Sequence, residues 1–88
     1  MTVLAFPAPE LTPEDEAAIV AGLQGARHYA CRRELDERGR TALALVDLAG
    51  RPRGRVSKRH GVFLVTDARG HVVLRTRRRD ELVRLLRG

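Results

Sequence analysis

Residues 62–74 read Val62-Phe63-Leu64-Val65-Thr66-Asp67-Ala68-Arg69-Gly70-His71-Val72-Val73-Leu74. Two runs rich in β-branched and aromatic residues flank the tetrapeptide Asp67-Ala68-Arg69-Gly70, and such runs favour strands. Asp at the first turn position bonds its own backbone, and Gly at the fourth accepts a positive φ. The segment therefore predicts a β-hairpin. The same form, D-x-R-G, recurs at Asp36-Glu37-Arg38-Gly39 and predicts a second hairpin.

The sequence between the two turns continues the strand pattern. Ala42, Leu43, Ala44, Leu45, Val46 and Leu48 place apolar groups on both faces of a run that Asp47 interrupts, as expected of a largely buried strand. Ala49-Gly50-Arg51-Pro52-Arg53-Gly54 reads as a loop, with a short strand over 55–58. Residues 26–38 fit two patterns. As a strand, Tyr29, Cys31 and Leu35 share one face, Arg32, Glu34 and Asp36 the other, and Arg33 breaks the apolar side. As a helix, His28, Cys31 and Leu35 align and Arg33 pairs with Glu37. The preceding glycines and the turn at 36–39 favour the strand.

Helices are expected at both ends. Thr12-Pro13-Glu14-Asp15 combines an N-cap hydroxyl, Pro at N1 and acids in the first turn. Ile19, Val20 and Leu23 follow as an apolar stripe, and Gly22 and Gly25 weaken and then end a helix over 13–24. Thr76 offers a second N-cap for a helix over 77–87, with Leu82, Val83, Leu85 and Leu86 as its stripe. Three arginines, 77–79, then occupy a first turn that the helix dipole disfavours. Residues 1–11, with Pro7 and Pro9, read as an extended arm in which Thr2–Phe6 could add an edge strand. The prediction is one α+β domain over 12–88: helix, antiparallel meander of three to five strands, short helix.

Bulk composition limits the function. The chain has 88 residues, 43% hydrophobic, with a formal charge of +6. This excludes multiple domains and large enzyme folds. Phe6, Tyr29 and Phe63 are the whole aromatic complement, so the core rests on aliphatic residues and a homodimer is a natural way to bury more area. No stretch approaches the roughly 20 apolar residues of a bilayer span, so no membrane partner is expected. One cysteine and no export signal point to a reducing cytoplasm.

Charge is divided along the chain. Residues 1–24 sum to −4 and residues 25–88 to +10, which suggests an acidic helix beside a basic body. Sixteen of the 17 bases are arginine. GC-rich coding would favour that choice, and Arg also forks phosphates bidentately. The bases gather in two segments: Arg51, Arg53, Arg55, Lys58 and Arg59, then Arg75, Arg77, Arg78 and Arg79. These nine are the candidate nucleic-acid-binding residues, acting through salt-dependent phosphate contacts without strong sequence reading. Single-strand binding is disfavoured because it needs exposed aromatics.

Residues 54–87, with the run Thr76-Arg77-Arg78-Arg79-Asp80-Glu81-Leu82 at a strand–helix junction, resemble the arm-binding domains of tyrosine integrases and the plant AP2-type domain. That resemblance implies a three-stranded sheet laid in a DNA major groove. The aromatic expected early in the sheet is missing, with Gly61-Val62-Phe63 the only approximation. The helix–strands–helix order is also similar to double-stranded RNA-binding domains, whose Lys-rich motif and Ala-packed second helix this chain lacks.

No catalytic constellation is present: Ser57 lacks a nucleophile elbow and Cys31 an evident His–Asn partner, so no enzyme is expected. His28-x-x-Cys31 has ligand spacing, with His60 and His71 as possible completions, but nothing pairs them, and neither metal nor cofactor is expected. The competing class is a protein-interaction module, such as a bacterial phage- or plasmid-type regulator or inhibitor, with the acidic first helix as its supporting feature and the basic face merely solvated.

Overall fold

A computed structural model describes residues 10–26 and 29–88. It contains α1 (Pro13–Leu23), β1 (Ala30–Leu35), β2 (Thr41–Val46), β3 (Pro52–Arg59), β4 (Val62–Asp67), β5 (Val72–Thr76) and α2 (Arg79–Arg87). The five strands form one antiparallel sheet in chain order, β1-β2-β3-β4-β5. The α+β meander with a helix at each end matches the expectation, at the upper limit of its strand count. Of the two patterns for residues 26–38, the structure has the strand, over Ala30–Leu35; Arg27 and His28 lie outside the described residues. Most of the expected arm lies outside the described residues, including Thr2–Phe6, Pro7 and Pro9. Leu11, at its end, is buried in the core.

Three of the four connections share one design. Asp36, Asp47 and Asp67 each accept two backbone N–H bonds on one carboxylate oxygen, from residues two and four positions on, at 2.8–2.9 Å. Gly39, Gly50 and Gly70 close these turns at positive φ. The second, Asp47-Leu48-Ala49-Gly50, corrects the loop expected over 49–54. Asp47 begins a tight turn rather than interrupting a strand, so β3 starts at Pro52, a first-strand position that tolerates a missing N–H. The remaining hairpin, between β3 and β4, turns on His60 and Gly61, both at positive φ as a two-residue type I′ turn requires. Gly54 sits where β3 presses on β4: a Cβ there would lie 2.0 Å from the Thr66 carbonyl oxygen.

Both helices cover one face of the sheet. Ile19 and Leu23 of α1 and Leu82 and Leu86 of α2 pack with Leu43, Leu45, Val56, Phe63 and Val65. Val20, expected in the α1 stripe, is exposed. Gly22 does not weaken α1 so much as let α2 approach: a Cβ on it would meet Val83 at 2.6 Å. The capping box at Thr12 and Asp15 forms in both directions, at 3.1 and 3.2 Å. At the other end, α2 begins two residues later than expected. Thr76 is still paired with Phe63 in the sheet, so its backbone cannot turn. Its hydroxyl accepts from the Arg78 N–H and donates to Glu81. Arg77 and Arg78 thus precede the helix, and Asp80 and Glu81 occupy the dipole-favoured first turn.

Candidate nucleic-acid interface

Side chains alternate across each strand, so the register assigns the face opposite the helices. It carries Arg32 and Glu34 of β1, Ala42 and Ala44 of β2, Arg55, Ser57 and Arg59 of β3, Leu64 and Thr66 of β4, and Arg75 of β5. One ladder row runs Arg32, Ala44, Arg55, Thr66. Ala42 and Ala44 are only 1% and 8% exposed although no helix covers them. Their cross-strand neighbours are Glu34, Arg32 and Arg55, whose long stems shade the small methyls. The face is therefore a small-residue floor studded with arginines, and among the described residues it holds no aromatic ring.

The nine sequence-selected bases do not act together. Arg55, Arg59 and Arg75 lie on the open face. Arg51 precedes β3 and Arg77 follows β5, both exposed. Arg53 departs to the helix side, where it pairs with Asp47 at 3.1 Å and lines a cleft with Tyr29, Leu85 and Leu86. Arg78 pairs with Asp80 at 3.0 Å. Lys58 and Arg79 serve the interior. The Lys58 ammonium, on a side chain 8% exposed, lies 3.0 Å from Asp15 and 4.8 Å from the centre of the Phe63 ring. Arg79 reaches the other Asp15 oxygen at 2.9 Å. Burial alone pushes the Asp15 carboxyl up, but the Lys58 bond, the Thr12 N–H and Arg79 together hold it below the usual carboxylate range.

Two arginines that sequence reasoning passed over join the face. Arg32 stands on β1, and Arg69 on the β4–β5 turn lines the same groove as Arg32 and Arg55. The period-2 alternation of β1 already separated Arg32 from Cys31 and Leu35. Arg33, which breaks the apolar side of the strand pattern, reaches α1 and pairs with Glu16 at 3.0 Å. Among the described residues, the side chains of Arg32, Arg59, Arg69 and Arg75 form no ion pair or hydrogen bond, whereas Arg55 is held by Glu34 at 2.6 Å.

Other chemistry finds less support. Among the described residues, no group of three His, Cys, Asp or Glu is placed to hold a metal, and His28 lies outside them. Cys31 is half-buried, and desolvation pushes its thiol up to about 11. Among the described residues no helix is long and apolar enough to cross a membrane. No protein-family model, curated protein or solved structure matches the chain.

Proposed function

We propose that the open sheet face binds double-stranded nucleic acid through its phosphates, with little sequence discrimination and without catalysis. The observation that carries this is the face that no described element covers: Arg32, Arg55, Arg59 and Arg75 against Glu34, with Asp67 at one corner. Strands stand about 4.8 Å apart, so β2 to β4 span about 10 Å and β1 to β5 about 19 Å. A B-form major groove is about 12 Å wide. The three middle strands match that width, while Arg32 and Arg75 reach outward to its phosphate walls. Ala42, Ala44 and Ser57 at the centre offer little to read bases with, and among the described residues no ring lies on this face for single strands to stack on.

The acidic first helix was the feature favouring a protein-interaction module instead. Two of its acids, Asp15 and Glu16, are committed to Lys58, Arg79 and Arg33 within the molecule. That weakens the alternative. Titration of a labelled duplex at several salt concentrations tests the proposal. Phosphate contacts at Arg59, at Arg75 and at the Arg32–Arg55 corner give a slope of at most about −2.7 in log K against log salt, or up to roughly a fortyfold loss from 50 to 200 mM. The triple variant Arg32→Ala/Arg59→Ala/Arg75→Ala is expected to flatten the slope by about 1.8, for the two phosphates at Arg59 and Arg75. No binding at low salt, or a slope unchanged in the triple variant, would remove the proposal.

A further inference from the structure

At one corner of the open face, Arg32, Glu34, Arg55, Thr66 and Arg69 line a groove of about 430 Å³, floored by Ala44 and the Gly54 backbone. Three guanidinium groups enter it from β1, β3 and the β4–β5 turn. Of these, Arg32 has no partner among the described residues, while Arg69 forms no side-chain hydrogen bond or ion pair there but, alongside the His71 N–H bond, helps through its charge to hold the neighbouring Asp67 carboxyl below the usual carboxylate range. The third, Arg55, donates from Nε to the Glu34 carboxylate at 2.6 Å, across the sheet from β3 to β1. Both side chains of that pair are partly solvated, at 40% and 31% exposure, so exchange with an incoming anion is accessible. Asp67 also lines the groove, but one of its oxygens is held by the backbone N–H groups of Arg69 and His71.

A carboxylate and a phosphate oxygen present the same acceptor geometry to a guanidinium. Resting on the nucleic-acid reading above, we propose that this groove is a phosphate site for one backbone phosphodiester of a duplex, and that Glu34 is the internal anion which the phosphate displaces from Arg55. Glu34 holds Arg55 in position while the site is empty and weakens binding by competing for it. Swapping one anion for another on Arg55 releases no net counterion, because the freed Glu34 recruits a cation as the phosphate loses one. The wild-type protein should therefore show one phosphate fewer in its salt dependence than its arginines would give.

Glu34→Gln keeps the side-chain shape and removes the competitor. Anisotropy titration of a labelled duplex of about 16 base pairs should show binding tightened about two- to fivefold, the range set by a partly exposed ion pair. The salt slope should steepen by about 0.9. Arg69→Ala, on an exposed turn, should weaken duplex binding by the wild-type protein about two- to fivefold with the slope unchanged, because the groove phosphate releases no net counterion while Glu34 is present. If the wild-type protein binds the duplex but Glu34→Gln binds no tighter with the same slope, the groove assignment fails and duplex binding stands. If Glu34→Gln loses its native circular dichroism, Arg69→Ala alone decides, and an unchanged affinity overturns the assignment. If no variant binds duplex while millimolar inorganic phosphate raises the melting temperature of Glu34→Gln, the source is a free anion, and both the duplex assignment and the proposed function fall.

Discussion

Asp15→Ala should be the most damaging single change in the described chain. Asp15 is 6% exposed and accepts from Lys58 Nζ at 3.0 Å, Arg79 Nη1 at 2.9 Å and the Thr12 N–H at 3.2 Å. Removing its carboxylate leaves the Lys58 ammonium inside without a counter-ion, and breaking such a pair from one side costs about 3–5 kcal/mol. Loss of half the capping box adds about 1 kcal/mol. Total stability for a domain of this size is about 4–13 kcal/mol, so the loss removes from about a third to all of it. Urea denaturation, with a slope near 1–1.5 kcal/mol per M, should show the midpoint lowered by roughly 3–6 M. Lys58→Met in the Asp15→Ala background removes the orphaned charge and should restore part of the loss. Because the folded carboxyl titrates below its unfolded value, this contribution is complete above about pH 4 and disappears as pH falls through the folded value. A midpoint shift under 0.5 M, or no recovery with Lys58→Met, would show that the triad of charges does not hold α1 to the sheet.

The remaining expectations follow from single contacts. Gly54→Ala places a methyl 2.0 Å from a carbonyl oxygen of the neighbouring strand, which cannot retreat without breaking the β3–β4 ladder; a loss of about 3 kcal/mol is expected, and a neutral result in urea would contradict the close approach. Cys31, with its thiol raised to about 11, should react with a thiol probe at pH 8 at least about tenfold slower in the folded protein than in urea; equal rates would place the thiol in solvent. The aromatic-poor core motivates the expected homodimer, which sedimentation at high concentration would report as about twice the 9.8 kDa chain mass, whereas a stable monomer would exclude it.

Most of the fold was legible because its signals are local. Turn aspartates and glycines act within four residues, and the Thr12 capping box within three. The turn at Asp47 escaped because Leu48 and Ala49 extend the apolar run of β2, so composition hid a boundary that the Asp47 carboxylate sets. The start of α2 was misplaced for a related reason: Thr76 has cap chemistry, but its sheet pairing with Phe63 prevails. The site was less legible because a base's role depends on which side of a strand it occupies and on which acid meets it. Lys58 and Arg55 lie on the same strand three residues apart, hence on opposite faces, and nothing within the 51–59 segment tells that one will be buried on Asp15, 43 residues away. Clustering in sequence identified the charge, whereas strand parity assigns it to a face.

Amide and arginine Nε–Hε chemical-shift mapping during titration with a short duplex most directly tests where the ligand lies. Binding by the open face predicts shifts, and their reversal at high salt, concentrated on Arg32, Ala44, Arg55, Ser57, Leu64 and Arg75, with α1 and the Asp15–Lys58 pair unmoved. Shifts concentrated instead on α2 and the cleft around Tyr29 and Leu85, with the open face silent, would contradict it.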